Sequence, residues 1–317
     1  MTRVAGIDCG TNSIRLLVAD CDTATGELVE LDRRMTIVRL GQGVDKTGRL
    51  APEALERTFA ACRDYAAVVK ELGAERLRFV ATSASRDAEN RDEFVRGVLD
   101  ILGVEPEVIS GDQEAEFSFV GATKELTGAV HMDKPFLVVD IGGGSTEFVV
   151  GEEHVRAARS VDMGCVRMTE RHLVVDGAVS DPPSAEQIAA IRADIEAALD
   201  LAEQTVPLRE ARTLVGLAGS VTTVAGIALG LPEYVSSAIH HSRIPYETVR
   251  EISERMLTTT HAERAAIPVM HPGRVDVIGA GALILLAIME RIGASEVVVS
   301  EHDILDGIAW DAALADG

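Results

Sequence analysis

One short pattern occurs twice in this sequence and limits the folds open to it. Asp8-Cys9-Gly10-Thr11-Asn12-Ser13 and Asp140-Ile141-Gly142-Gly143-Gly144-Ser145 each place an aspartate at the end of an apolar run, then glycine, then hydroxyl residues. Each reads as strand, tight turn, strand. Glycine lets backbone approach a ligand closely, and hydroxyls with exposed amides can bind phosphoryl oxygens. A single such turn is explained by ordinary hairpin chemistry, in which Gly and Asn supply the turn geometry. Two copies, one per half of the chain, point instead to two related domains whose turns face one anion across a cleft.

The surrounding pattern agrees. Apolar runs at Val4 to Asp8, Ser13 to Asp22 and Glu27 to Leu40 read as a three-stranded meander. Leu55, Phe59, Cys62, Ala66 and Val69 recur at helical steps between Pro52 and Leu72. A strand (Arg76 to Ala81), a helix (Asp92 to Leu102), a strand (Glu107 to Ile109) and a helix from Asp112 continue the α/β alternation. After the Thr127-Gly128 stretch the strand-turn-strand unit returns, with Phe136 to Asp140 and Thr146 to Val150. It is followed by a helix (Ser184 to Glu203), a strand (Thr213 to Leu217), a helix from Ser220, helices over 246–260 and 274–292, a strand (Val297 to Ser300) and a last helix. The expected domains are residues 1–124, with the first turn, and residues 125–317, with the second; the last helix is left open to pack back on the first domain.

Composition narrows the class of partner. At 317 residues and 47% hydrophobic content the chain can bury two cores, and with aromatics at 3% those cores must be built from Val, Ile, Leu and Ala, as in buried sheets covered by helices. The net charge of −21 argues against nucleic acid and anionic membranes as partners. It equally obliges any site for a phosphorylated anion to be locally compensated by arginines, backbone amides or a divalent cation. No signal-peptide pattern opens the sequence, and the longest apolar stretch, Val277 to Met289, is short of a bilayer span and reads as a buried helix. Cys9, Cys21, Cys62 and Cys165 lie far apart without metal-ligand spacing, as expected of a cytoplasmic protein.

Several residues stand where anion chemistry needs them. Ser110-Gly111-Asp112-Gln113-Glu114 reads locally as a helix start, with Ser110 as N-cap and Gln113 completing a capping box. Arg86 follows Thr82-Ser83-Ala84-Ser85 beyond a strand, where a guanidinium could fork onto a phosphate. Gly219 and Ser220 lie between an apolar strand and a Thr-rich helix start, a general anion site. Asp140 and Glu147 are the acidic pair around the second turn, and His240, His241 and Arg243 supply polar groups before a later helix.

These motifs together resemble the exopolyphosphatase/guanosine pentaphosphate phosphatase (Ppx/GppA) family within the actin-like superfamily. The resemblance rests on VAGIDCGTNSIRLLVAD, ATSASRDAENRDEF, VISGDQEAEFSFVGA, VVDIGGGSTEFVVG, SVDMGCVRMTE, GLAGSVTTVAGI, RVDVIGAGALILLAIMERIG and VVVSEHDILDGIA, in that order, across nearly the whole chain. It implies an α/β fold of two actin-like (ribonuclease H-like) domains with an interdomain cleft. It further implies Glu114 as general base and Arg86 as phosphate-binding arginine. Asp8, Gly10, Thr11, Asn12, Ser13, Gly142, Gly143, Gly144, Ser145, Gly219 and Ser220 are implied as phosphate contacts, and Asp140 and Glu147 as ligands of Mg²⁺ or another divalent cation. His240, His241 and Arg243 would line the cleft outside the catalytic set.

The sequence departs from the family pattern at Gln113, where a glutamate is usual, and at Ala218, where glycine is usual. The implied activity is metal-dependent release of terminal phosphate from polyphosphate, or conversion of guanosine pentaphosphate to tetraphosphate, with a homodimer among the expected partners. Longer members carry a further helical domain beyond the point where this sequence stops, which implies here a preference for short chains and distributive action. An actin-like kinase and a non-hydrolysing alarmone sensor are the competing readings. Phosphate release without an acceptor separates the first from the leading reading, and tight tetraphosphate binding without turnover separates the second.

Overall fold

The computed structural model describes residues 1–124 and 132–315. The chain divides into two compact units, Met1–Gly121 together with the segment from Asp303, and Ala122–His302. The boundary expected between residues 124 and 125 falls where the described residues break off, and the Thr127-Gly128 stretch lies outside them.

In the first unit, β1 (Thr2–Cys9), β2 (Ser13–Asp22) and β3 (Glu27–Ile37) form the meander, and β4 (Arg76–Ala81) and β5 (Glu107–Val108) extend the sheet in the order β3-β2-β1-β4-β5. β1 runs antiparallel to β2 and parallel to β4, and β4 parallel to β5. Alternation along the strands sorts their side chains to two faces. Ala5, Ile7, Ile14, Leu16 and Val18 pack with Phe79, Phe94 and Cys62, the last two from helices Arg91–Leu102 and Pro52–Leu72. Val4, Leu17, Ala19 and Cys21 pack on the opposite face against Leu305, Ala309 and Trp310 of helix Ile304–Leu314. That helix also crosses helix Gly111–Thr123 at very short range. A Cβ at Gly307 would lie 2.2 Å from the Phe117 carbonyl oxygen, and one at Gly121 would lie 1.8 Å from that of Asp303, so only glycine fits at either place.

In the second unit, β6 (Phe136–Ile141), β7 (Thr146–Gly151) and β8 (Val155–Val161) form a second meander, and β11 (Thr213–Leu217), β13 (Glu296–Val299) and β12 (Arg243–Pro245) complete the order β12-β13-β11-β6-β7-β8. β9 (Val174–Val175) and β10 (Ala178–Val179) form a separate hairpin. Apart from β12, this sheet repeats the first: an antiparallel meander whose opening strand pairs in parallel with the next crossover strand. The two-copy turn pattern is thus the visible part of a duplicated topology. One core joins Leu137, Val139, Phe148 and Val150 to helices Ala185–Glu203 and Ile278–Ile292, the latter buried continuously from Ile278 to Met289. No helix among the described residues is long and apolar enough to cross a membrane.

Local readings that differ from the structure have physical reasons. β3 stops at Ile37 rather than Leu40, because the amides of Val38 and Arg39 turn to the Asn12 carbonyl at 3.0 and 2.9 Å. The helix expected over 274–292 begins at Ile278, after a separate 3₁₀ turn at Pro272–Arg274. Strands β8 and β12 and helices Ser83–Asp87 and Cys165–His172 were not expected from the sequence; they are short, and β8 carries three polar residues among seven, so neither period emerges.

Candidate active site

In the first unit the parallel register sets Asp8 beside Val80 and Ala81 beside Val108, so β1, β4 and β5 end side by side. Ligands of open α/β sheets bind at such carboxyl ends. The turn after β1 closes with the Gly10 amide on the Ser13 carbonyl at 2.9 Å. Its carbonyls are drawn away from the strand ends: Thr11 accepts from the Gly41 amide at 2.9 Å, and Asn12 from Val38 and Arg39. The buried Thr11 hydroxyl meets that of Ser83 at 2.9 Å, which ties the turn to the helix Ser83–Asp87 after β4.

Arg86, in the last turn of that helix, places Nη1 at 3.1 Å from Glu114 Oε2 and also donates it to the Ile109 carbonyl at 3.1 Å. The two side chains given chemical roles by the sequence resemblance therefore touch one another. Glu114 is buried, 7% exposed. Its helix start is the expected capping box: the Gln113 backbone N–H donates to Ser110 Oγ at 3.2 Å, and the Ser110 backbone N–H to Gln113 Oε1 at 3.0 Å. Gln113 is thus occupied with the helix end, a task for which glutamine and glutamate are interchangeable.

At the end of β1, Arg15 donates through Nε and Nη2 to Oδ2 of Asp8, at 2.9 and 2.6 Å. Burial pushes the Asp8 carboxyl above its ordinary range, with the Arg15 charge opposing and the Asp303 charge adding to the rise.

The second unit repeats the arrangement with different side chains. The turn after β6 closes with the Gly142 amide on the Ser145 carbonyl at 3.0 Å. The Gly142 carbonyl accepts from Cys165, the Gly143 carbonyl from Val166 and Arg167, and the Gly144 carbonyl from Arg167 Nε at 2.7 Å. This intimacy requires glycine at the helix start, since a Cβ at Gly164 would lie 2.3 Å from the Gly143 carbonyl. Asp140 and Glu147 are register partners across β6 and β7, so their carboxylates share a face of the sheet; both are buried. Glu147 Oε1 accepts from the Ser160 hydroxyl at 2.7 Å. Asp140 also pairs with Leu217 at the end of β11, which brings the turn beside the start of helix Ala218–Ala228.

That helix start holds Gly219 and the buried Ser220. Ala218 has φ 65°, a left-handed conformation that favours the glycine expected there. The Arg274 guanidinium lies directly over Gly219, where a Cβ would fall 1.4 Å from its Nη1. Nothing local in the sequence marks Arg274, which comes from a 3₁₀ turn fifty-odd residues downstream.

Each unit therefore gathers its own expected residues: Asp8, Gly10, Thr11, Asn12, Ser13, Arg86 and Glu114 in one, and Asp140, Gly142, Gly143, Gly144, Ser145, Glu147, Gly219 and Ser220 in the other. His240 and His241 stack at 3.7 Å between ring centroids, with His302 at 4.6 Å from His240. Arg243 pairs instead with Glu296 at the start of β13, away from the strand ends that carry the glycine turn.

Two α/β units of matching topology, each with a glycine turn and a helix start at the ends of parallel strands, define an actin-like fold built to hold phosphorylated anions. The comparisons give the family. The Ppx/GppA phosphatase family model matches residues 18–315, and the chain belongs to that family. It is 51% identical to Exopolyphosphatase 2 of Mycobacterium tuberculosis, over 99% of both chains. It is 29% identical to the guanosine-5'-triphosphate,3'-diphosphate pyrophosphatase of Aeromonas salmonicida, over 96% of this chain and 58% of that one. Among solved structures, an exopolyphosphatase-like protein superposes with a TM-score of 0.91 at 44% identity, covering 98% of both chains. The Aquifex aeolicus family member gives 0.79 at 29% identity, covering 99% of this chain and 98% of that one.

Proposed function

We propose that this protein is an exopolyphosphatase that hydrolyses the terminal phosphoanhydride bond of linear polyphosphate, with guanosine pentaphosphate as a second substrate. The observation that carries the reading is the Arg86–Glu114 contact at the ends of β1, β4 and β5. Arg86 uses Nη1 for Glu114 and the Ile109 carbonyl, which leaves Nε and Nη2 for phosphoryl oxygens. The same guanidinium thus holds the base and the group to be attacked. Glu114 accepts the proton of a water attacking the terminal phosphorus in line, the bridging P–O bond breaks, and the shortened chain departs. Thr11, Asn12 and Ser13 with the amides of the first turn bind phosphoryl oxygens in the first unit, and Ser145, Gly219 and Ser220 with the second turn bind phosphoryl oxygens in the second.

The second unit fits a divalent cation. Asp140 and Glu147 present hard oxygen donors side by side, and Ser160 fixes one of the Glu147 oxygens. Among the described residues no group of three or more His, Cys, Asp or Glu side chains could form a closed metal cage. Mg²⁺ takes one or two carboxylates and completes its shell with water and phosphate oxygens. When bound it supplies neutralisation of phosphate charge, which a chain of net charge −21 needs. Four buried free cysteines fit a reducing compartment, and we place the protein in the cytoplasm.

The test is phosphate release from tripolyphosphate, long polyphosphate and guanosine pentaphosphate, with Mg²⁺ and no acceptor. Release from polyphosphate is the expected result. Turnover that appears only when a hydroxyl acceptor is added would make the protein a kinase and end this proposal.

A further inference from the structure

Arg15 is the register partner of Asp8 across β1 and β2, so both side chains stand on one face of the sheet. It is shared between two acids: Nε and Nη2 go to a single oxygen of Asp8, Oδ2, and Nη1 goes to Oδ2 of Asp303. The other Asp8 oxygen, Oδ1, is buried and has no hydrogen-bond partner among the described residues. A buried carboxylate oxygen without a partner is costly, and an arginine could remove that cost by engaging both oxygens in a fork. Here Nε and Nη2 converge on Oδ2 instead, while Nη1 is held by Asp303.

Asp303 is itself immobilised. Its Oδ1 caps the helix Ile304–Leu314 by accepting from the Leu305 amide at 3.0 Å, and its own amide donates to Asp306 Oδ2 at 3.0 Å. Asp306 is anchored in turn by Arg33 of β3, Nη2 to Oδ1 at 2.6 Å. The charged groups facing Asp8 are thus Arg15 and Asp303, backed by Arg33 and Asp306. We infer that Asp303 is a positioning residue for Asp8, acting through Arg15 so that Asp8 keeps one carboxylate oxygen uncommitted at the foot of the first glycine turn.

Electrostatics agrees with the geometry. Burial would push Asp303 up, but Arg15, the Leu305 amide and Arg33 outweigh it and hold this carboxyl below its ordinary range. Asp303 therefore stays ionised and draws on Arg15, while Asp8 is left incompletely neutralised. The inference rests on the proposed role of the first turn in binding substrate, so its test needs a readout that works without turnover.

Asp303→Asn preserves shape and cap, since asparagine and aspartate are equivalent N-caps, and removes the charge together with the acceptor oxygen that Arg15 meets. Carbon-detected NMR of aspartate-labelled protein, with Asp8→Asn as the assignment control, follows the Asp8 titration midpoint. The Asp8 midpoint is expected to fall by about one pH unit in Asp303→Asn, a tenfold change in proton affinity, and to rise by a similar amount in Arg15→Gln. In Asp303→Asn, kcat for phosphate release should drop several-fold with KM little changed, and Asp303→Glu should restore part of it. An Asp8 midpoint and kcat both unchanged in Asp303→Asn would reduce Asp303 to a helix cap and overturn the inference. Should the Asn variant not fold, Asp303→Ser, which keeps a capping oxygen and removes the charge, decides in its place: an unmoved Asp8 midpoint overturns the inference and a lowered one supports it. A midpoint moved in Asp303→Asn, beside a wild type that hydrolyses none of the three substrates, would sustain the positioning role and overturn only the proposed function.

Discussion

The exits of β4 and β11 occupy equivalent places in the two sheets, and they obtain their arginine differently. After β4 the chain makes one short helix, Ser83–Asp87, and its own Arg86 reaches Glu114. After β11 comes a longer helix, Ala218–Ala228, without a single charged residue, and the guanidinium over Gly219 arrives from Arg274. The carboxylates differ as well. In the first unit Asp8 and Glu114 each face an arginine, whereas in the second Asp140 and Glu147 face one another across a strand pair. On the proposed reading the duplicated scaffold has specialised: one copy handles the proton and the other the cation.

The largest effect should come from removing the proton acceptor in the first unit. Glu114→Gln keeps size and the capping box, which belongs to Ser110 and Gln113, and removes the base. Phosphate release is expected to fall by about 10²- to 10⁴-fold with KM nearly unchanged. A wild-type rate would show that Glu114 serves only as the partner of Arg86, and the division of labour between the units would collapse.

A smaller loss, of a different kind, is expected in the second unit. Asp140→Asn removes one charged oxygen from the pair opposite Glu147, so the half-saturating Mg²⁺ concentration should rise about tenfold, or about 1.4 kcal/mol, while kcat at saturating metal stays near wild type. A Mg²⁺ titration overlaying that of the wild type would remove the cation from the second turn. A fall in kcat at every Mg²⁺ concentration would move Asp140 to the chemical side of the comparison.

What the sequence made legible follows the same division. The duplicated turns, the meanders and the helix start before Glu114 could be read because each is encoded within a few residues: glycine beside Asp, a period of two, a capping box; the role given to Glu114 came only from the family resemblance. The long buried helix was legible from its unbroken apolar run, although its start was not, since a 3₁₀ turn and an α-helix leave nearly the same trace over four residues. Arg274, Asp303 and the role of Arg15 were not legible. Each acts on a partner far away in sequence, and a guanidinium or carboxylate carries no local sign of which distant group it will meet. Arg15 was nearest to discovery: hairpin arithmetic pairs it with Asp8, and two opposite charges on one sheet face are expected to bond. Gln113 and Ala218 were both visible as departures from the family pattern, but only the structure separates them. Gln113 is compensated by its capping role, whereas Ala218 stands in a conformation that suits glycine.

That contrast sets the smallest predicted effect, and it tests whether the second unit's helix start is strained where the first unit's is not. Thr82, before the first unit's short helix, has φ −115°, whereas Ala218 has φ 65°. A non-glycine residue in the left-handed region costs about 1–2 kcal/mol, because its Cβ crowds the following carbonyl. Ala218→Gly removes that crowding but adds chain entropy to the unfolded state, at about 0.5–1 kcal/mol. The net gain should be about 0.5 kcal/mol, and the melting temperature should rise by about 1–2 °C for a unit of this size. The matching substitution Thr82→Gly relieves nothing, and should lower the melting temperature. Calorimetry of the two variants beside the wild type reads the difference directly. A fall in both would mean that the Ala218 methyl packs well enough to offset its backbone, and the second helix start would then be no more strained than the first.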